Sequence, residues 1–169
     1  MKLGLDLSGG VHFKLEVDAE AATERKLSQY ETGIKKRLRE ERIRGRVSLD
    51  GGQVAMQFRT EADREAARRQ VIDLYPELFL DRVDKDDDWL LFAKVTEQTI
   101  AEVVDYAVAQ NLTTIRNRVN ELGVSEPLVQ RQGRNRIVVE LPGIQDTAEA
   151  KRILGKVANL EFRLVAEAN

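Results

Sequence analysis

Apolar and polar residues alternate along several short stretches of the chain, and each stretch predicts a β-strand with one buried side and one solvent-facing side. In the first stretch, every second residue from Val11 to Val17 is apolar. Further strands are predicted at 46–49, 53–58, 78–83, 89–95, 128–132, 136–141 and 160–164. Turn sequences such as Asp50-Gly51-Gly52 separate neighbouring strands and predict hairpins.

Apolar residues at helical spacing predict four helices between these strands. The predicted helices lie at 19–43, 61–75, 97–122 and 146–157. Thr60 is expected to cap the second helix, because its hydroxyl can accept a hydrogen bond from a free N–H of the first turn. Gly123 is expected to end the third, since glycine is common at the first position beyond a helix.

The order of these elements is βαββαβ written twice, which is typical of the ferredoxin-like arrangement. The sequence therefore predicts an α+β fold of duplicated ferredoxin-like βαββαβ units, with antiparallel sheets and helices packed on one face. The pattern leaves the arrangement of the units open. They are either tandem, at 1–85 and 86–169, or nested, with an αββαββ lobe at 19–95 inserted into a unit formed by 1–18 and 96–169.

The composition is that of a folded globular protein rather than a disordered chain. Of the 169 residues, 42% are hydrophobic and 33% are charged, and the net charge is only −2. The chain has no cysteine, which excludes a disulfide scaffold and a thiolate metal site. A nucleic-acid partner is not expected, because the overall basic excess of such proteins is missing.

Two clusters of residues resemble parts of catalytic or metal-binding sites, but their order and spacing do not match such sites. The glycines from Gly4 to Gly10 precede a strand, whereas a phosphate loop follows a strand and opens a helix. The acidic run Asp84, Asp86, Asp87 and Asp88 lacks the glycine and glutamate positions of a calcium loop, so a solvated hairpin tip is favoured. His12 is the only histidine, and no carboxylate pair stands out. We therefore expect no catalytic residue, no metal site and no cofactor.

Basic residues are concentrated in two stretches. One comprises Lys35, Lys36, Arg37, Arg39, Arg42, Arg44 and Arg46, and the other comprises Arg116, Arg118, Arg131, Arg134 and Arg136. Such runs commonly mark solvated helix faces, which is the favoured interpretation. The alternative is a docking surface for acidic partners or lipid headgroups. RNA binding through a ferredoxin-like sheet is not favoured, because the strand at 136–141 carries no aromatic residue for base stacking.

Two segments resemble motifs of the SecD family. The first is Leu3-Gly4-Leu5-Asp6-Leu7-Ser8-Gly9-Gly10, which resembles the LGLDLxGG motif at the start of the family's first periplasmic region. The second is Asn117-Arg118-Val119-Asn120-Glu121-Leu122-Gly123-Val124-Ser125-Glu126-Pro127, which resembles the segment NRVNxLGVxEP. It continues through a strand to Pro142-Gly143. The resemblance is dense over 3–18 and 105–165 and looser over 19–100, and Leu7 favours SecD over its sister family SecF.

The resemblance implies a function that the residue pattern does not show. SecD proteins are membrane subunits of the resistance–nodulation–division type. They work with SecF, the SecYEG channel and YajC, and assist export of preproteins by the proton-motive force. The chain would be the base of the periplasmic P1 region at the bacterial inner membrane, with a membrane helix upstream of Leu3. The motif residues, above all Gly9 and Gly10, would then serve as a hinge and as structural positions.

The resemblance also favours the nested arrangement, because shorter members of the family pass almost directly from the first strand to the helix at 97–122. Two other classes of function remain as alternatives. One is a stand-alone ferredoxin-like module that binds a ligand or a protein. The other is an acylphosphatase-like enzyme, which is disfavoured because Asp18-Ala19-Glu20 puts acidic groups where a phosphate would bind.

Overall fold

The computed structural model describes residues 9–85, 88–121 and 123–155. The chain divides into two compact units. One, the continuous unit, comprises Ala19–Val103, and the other, the split unit, comprises Met1–Asp18 together with Val104–Asn169. Among the described residues, no helix contains an apolar stretch long enough to cross a membrane.

The described elements follow one another as strands and helices in the order that the sequence pattern predicts. The strands are β1 (Gly10–Glu16), β2 (Arg46–Asp50), β3 (Gln53–Phe58), β4 (Phe79–Lys85), β5 (Asp88–Lys94), β6 (Leu128–Gln132) and β7 (Arg136–Pro142). The helices are α1 (Ala19–Glu40), α2 (Glu61–Leu74), α3 (Glu97–Glu121) and α4 (Thr147–Leu154). The predicted strand at 160–164 lies outside the described residues.

The split unit contains a three-stranded antiparallel sheet in the order β1-β7-β6. The alternation of β1 sets the register, because Val11 and Leu15 lie opposite Leu141 and Ile137 and all four are buried. A slip of one residue would turn these side chains to the polar face. The guanidinium of Arg116 on α3 donates to the backbone carbonyl of Val129 on β6 at 3.0 and 3.2 Å, which ties the helix to the sheet.

The continuous unit contains a four-stranded antiparallel sheet in the order β2-β3-β5-β4. Its core lies between one face of this sheet and the apolar faces of α1 and α2. The largest fully buried side chains of this core are Tyr30, Phe58, Ile34, Met56 and Leu91. β4 is an edge strand of the sheet, and its final residues, from Arg82 to Lys85, are exposed.

The structure confirms the α+β class and most element boundaries. Thr60 caps α2 as predicted, with the Asp63 N–H donating to its hydroxyl at 3.1 Å. α1 ends at Glu40, short of the predicted end at 43, because the next residues close the helix with a terminal turn. The duplicated ferredoxin-like description and the division into domains stay predictions.

Candidate functional site

Three motif segments meet at one end of the three-stranded sheet. β1 begins at Gly10, which lies opposite Pro142, the last residue of β7. β6 begins at Leu128, opposite Glu140. Because β1 and β6 both run antiparallel to β7, the starts of these two strands and the end of β7 share this end of the sheet. This end of the sheet therefore brings together residues that are far apart in sequence: Gly9-Gly10, Pro127 and Pro142-Gly143. We call it the motif end.

The backbone at the motif end requires glycine. The Gly143 N–H donates to the Gly9 carbonyl at 3.1 Å, one step beyond the last β1–β7 pair. Gly9 and Gly143 have φ angles of +72° and +81°, a region that other residues enter only with strain. A Cβ at Gly9 would also lie 3.3 Å from Nε2 of Gln145. The chain thus leaves the sheet at Gly9 through a conformation that only glycine adopts freely.

The second motif spans the end of α3 and the approach to β6. Val119 is fully buried and anchors the last turn of the helix, whereas Asn117 and Asn120 are exposed. Gly123 follows the helix with φ +66°, and its N–H donates to the Asn120 carbonyl at 3.1 Å, in agreement with its predicted role at the helix end. Arg118 is half-buried.

Glu126 is the unusual residue of this motif. Its φ angle is +53°, although it is not glycine and it precedes Pro127, a position that favours extended backbone. Strain of this kind persists where the surrounding structure holds it, and it is concentrated at functional segments. Of the other motif residues, Gly4, Leu5, Asp6, Leu7 and Leu122 lie outside the described residues.

A side-chain pair lies on the solvent-facing side of the split sheet, close to the motif end. His12 lies opposite Glu140, and its Nδ1 is 3.2 Å from a carboxylate oxygen of that residue. Both side chains remain partly exposed. The pair can be an ion pair only when the histidine is protonated.

The sequence pattern did not single out the buried Arg64 on α2. Its side chain is only 4% exposed. It lies over the Trp89 ring, with Cζ 4.8 Å from the ring centroid, and it pairs with Asp84. Arg64 stands three residues before the buried Ala67 and seven before the buried Val71, so helical spacing could have placed it on the inward face.

Asp84 and Asp88, two of the acidic residues considered for a calcium loop, are engaged with the protein itself. Asp84 pairs with Arg64, and Asp88 accepts a hydrogen bond from Nε2 of Gln57 at 2.7 Å. The strands on either side of the acidic run pair as predicted, with Lys85 opposite Asp88. The other two acidic residues, Asp86 and Asp87, lie outside the described residues.

Comparison with known proteins places this chain in a family. A family model described as the N-terminal part of the P1 domain of the protein translocase subunit SecDF matches residues 108–167. The protein translocase subunit SecD of Pseudomonas aeruginosa is 53% identical over 168 residues, which is 99% of this chain and 27% of that protein. The chain belongs to the SecD family.

The similarity to SecD proteins covers the continuous unit as well as the split unit. The SecD subunit of Escherichia coli is 46% identical over 168 residues, 98% of this chain and 27% of that protein. SecD of Calditerrivibrio nitroreducens is 34% identical over 169 residues, 99% of this chain and 32% of that protein. Residues 19–103 are therefore shared with these SecD chains. The chain spans about a quarter to a third of the length of these relatives.

Proposed function

We propose that this chain is the periplasmic base of a SecD subunit and assists export of preproteins by the Sec translocon under the proton-motive force. The observation that carries the proposal is the convergence of three SecD motif segments on the motif end of the split sheet. The role is mechanical rather than enzymatic. It consists in passing motion from a membrane-embedded part of the subunit to the sheet that begins at Gly10.

The hinge of this mechanism lies at Gly9. The β1–β7 ladder ends with the Gly10–Pro142 pair, and the bond from Gly143 to Gly9 is the only described backbone contact beyond it. Gly9 lies at φ +72° and carries no side chain, so it can change its dihedral angles at little cost. Hinges of domain motions are built from a few residues of this kind. Tilting of the base would then displace a more distal part of the subunit.

The same proposal places the chain at the periplasmic face of the bacterial inner membrane. Membrane helices outside this chain would anchor it and carry the protons. SecF, the SecYEG channel and YajC would be its partners, and an emerging preprotein its cargo. No nucleic acid and no cofactor enter this account.

The proposal is tested by exchanging this chain for the matching segment of Escherichia coli SecD, in cells depleted of their own SecD. Pulse labelling then measures how much of a secreted protein remains as precursor. We expect the exchange protein to restore export. We expect the double variant Gly9→Val, Gly10→Val to accumulate precursor, because valine at the positive φ of residue 9 is strained and the added side chains restrict rotation of the backbone there.

The matched control is Gly133→Val, in the turn between β6 and β7 at the opposite end of the same sheet. Gly133 has φ +65°, and the position that a Cβ would take there lies in open space. The substitution therefore introduces similar backbone strain away from the motif end. Export should survive it. Normal export by the double variant, with the protein present in the membrane at the usual level, would refute the hinge.

A further inference from the structure

The end of α1 and the segment that follows it carry a concentrated positive charge. Residues 35–46 contain seven basic and two acidic side chains, a net charge of +5. The whole chain has a net charge of −2, so the remaining residues carry −7. Charge is thus unevenly distributed along the sequence, and residues 35–46 form a positive segment within an acidic chain.

The basic side chains of this segment fall into two groups. Three are paired with carboxylates one helical turn away: Lys35 with Glu31 at 2.6 Å, Lys36 with Glu40 at 3.9 Å and Arg37 with Glu41 at 3.5 Å. Four others are exposed and have no ion pair or side-chain hydrogen bond within residues 9–85, 88–121 and 123–155: Arg39, Arg42, Arg44 and Arg46. These four arginines can bind an anion without first breaking an internal pair.

A fifth arginine lies at the same end of the sheet. Gly45, between Arg44 and Arg46, is packed so closely against β3 that a Cβ there would lie 2.4 Å from the Phe58 ring. Arg59 follows Phe58, is exposed, and also has no side-chain partner in the described part of the chain. We call Arg39, Arg42, Arg44, Arg46 and Arg59 the arginine cluster.

The backbone at Arg42 is strained. α1 ends in a Schellman motif, in which the Ile43 N–H donates to the Leu38 carbonyl at 2.8 Å and the Arg42 N–H to the Arg39 carbonyl at 3.2 Å. Arg42 has φ +57° at the position where glycine is usual. An arginine at a positive φ lowers the stability of the folded chain relative to glycine. A backbone outlier of this kind points to a role for its side chain.

We propose that the arginine cluster docks the continuous unit on a bilayer surface that carries anionic phospholipid headgroups. Guanidinium groups bind phosphate through paired N–H donors, and clustered basic residues are attracted to anionic membrane surfaces. The proposal rests on the proposed function in one respect: a SecD base is held beside the membrane.

Two observations favour a lipid surface over the other polyanions or partners. The aromatic residue nearest to the cluster in sequence, Phe58, is only 1% exposed, so it is not available to stack on bases as in single-stranded RNA binding. Ile43 is the only apolar residue in segment 39–46, and it packs against the core. The segment therefore offers charge without the exposed apolar anchor typical of a protein interface.

The test is co-sedimentation of the 169-residue chain with vesicles of phosphatidylglycerol and phosphatidylcholine, compared with vesicles of phosphatidylcholine alone. We expect binding to the anionic vesicles only, and release at about 1 M salt, where the Debye length falls to about 3 Å. The triple variant Arg39→Gln, Arg42→Gln, Arg44→Gln should bind about a hundredfold more weakly, since each charge contributes about fivefold.

The matched control removes three arginines from other places: Arg25→Gln, Arg134→Gln, Arg152→Gln. These residues are exposed, and the change in net charge is the same. The control variant should bind within about twofold of the unaltered chain, because the proposal assigns binding to the arginine cluster, which this variant leaves intact.

A single substitution separates binding from folding. Arg42→Gly relieves the positive φ and removes one charge, so we expect the melting temperature to stay or rise while vesicle binding weakens about fivefold. Unchanged vesicle binding by this variant or by the triple variant would overturn the proposal. So would equal binding to neutral vesicles, or binding to single-stranded RNA without binding to anionic vesicles.

The vesicle measurement is independent of protein export. Loss of export in the exchange protein with normal vesicle binding would count against the proposed function alone. Normal export together with no vesicle binding would count against the arginine cluster alone.

Discussion

At the scale of single residues, Gly33 shows how a tertiary contact can reverse a local preference. Glycine in the middle of a helix is unfavourable by up to about 1 kcal/mol relative to alanine. In α1, however, a Cβ on Gly33 would lie 1.9 Å from the Tyr75 hydroxyl oxygen and 3.0 Å from its Cζ. Tyr75 in turn makes an edge-to-face contact with Tyr30, with ring centroids 4.8 Å apart. Gly33 is therefore required by the aromatic packing beside it.

We predict that Gly33→Ala lowers the free energy of unfolding by about 1–3 kcal/mol, the usual cost of overpacking. Urea denaturation of the whole chain measures this value. The same substitution made with Tyr75→Phe should cost less, because the nearest clashing atom is then gone. If helix propensity alone decided the outcome, Gly33→Ala would instead stabilise the chain by up to about 1 kcal/mol.

Local signals in the sequence predicted the structural roles of some single residues and missed those of others. The cap at Thr60 and the helix end at Gly123 were predictable, because both depend on neighbours within a few positions. The strain at Glu126 and the packing that requires Gly33 were not, because they depend on what surrounds the residue in the fold. The contact between Gly9 and Gly143 could be predicted only from the register of β1 with β7, which the sequence pattern does not give.

At the scale of elements, α1 is joined to the segment before β4 by a partly buried polar contact. Tyr30 is 2% exposed, and its hydroxyl donates to Glu77 at 2.8 Å. Burial, and after it this hydrogen bond and the charge of Glu77, raise the pKa of Tyr30 well above its ordinary value of 10.0. The folded chain therefore holds the phenol proton more tightly than the unfolded chain does.

We predict that this difference makes stability depend on alkaline pH. Tyr30 contributes fully to the free energy of unfolding below about pH 10, and this contribution is lost as the pH rises from there towards the raised pKa. The reason is that in this range the unfolded chain releases the phenol proton and the folded chain keeps it. Urea denaturation at increasing alkaline pH should show this decline. Tyr30→Phe should remove the part of this pH dependence that Tyr30 causes, and Tyr106→Phe, at a residue that is 71% exposed, is the control for the loss of a tyrosine hydroxyl.

A second polar contact between elements responds to acid. Glu65 on α2 accepts from Arg68 at 2.9 Å and from Arg82 on β4 at 3.3 Å. The bond from Arg68, and after it the one from Arg82, hold the pKa of this carboxyl below its ordinary value. Its contribution to stability is present above the ordinary pKa and is lost as the pH falls towards the lowered one.

Elements were easier to predict than their pairing. Alternation and helical spacing located each described strand and helix to within a few residues, because both patterns follow from which side is buried. The partner of β1 could not be obtained in this way. Strands of similar pattern lie both at 46–58 and at 128–141, and only the structure pairs β1 with β7 across more than a hundred residues.

At the scale of the whole molecule, the nested arrangement of domains stays a prediction, and in it β1 and β7 belong to the same domain. We predict that replacing residues 19–95 with a short Gly/Ser linker leaves a soluble, cooperatively folding protein, because β1, α3, β6 and β7 all remain. Amide hydrogen exchange should show protection in β1 and β7. An insoluble product would count against nesting.

The tandem arrangement predicts a different outcome. In that case residues 86–169 alone should fold. We expect this fragment to aggregate, because β7 would lose its neighbour β1 and expose an unpaired edge beside side chains that are otherwise buried.

If this chain works as part of a membrane-bound SecD subunit, fractionation of the cells that produce it should recover it with the membranes. An antibody raised against the chain is used to probe the membrane and soluble fractions. Because the chain covers 27% of SecD from Pseudomonas aeruginosa, we expect a membrane band at nearly four times the 19.2 kDa of the chain. A soluble band near 19.2 kDa would contradict the account and would favour a free-standing binding module.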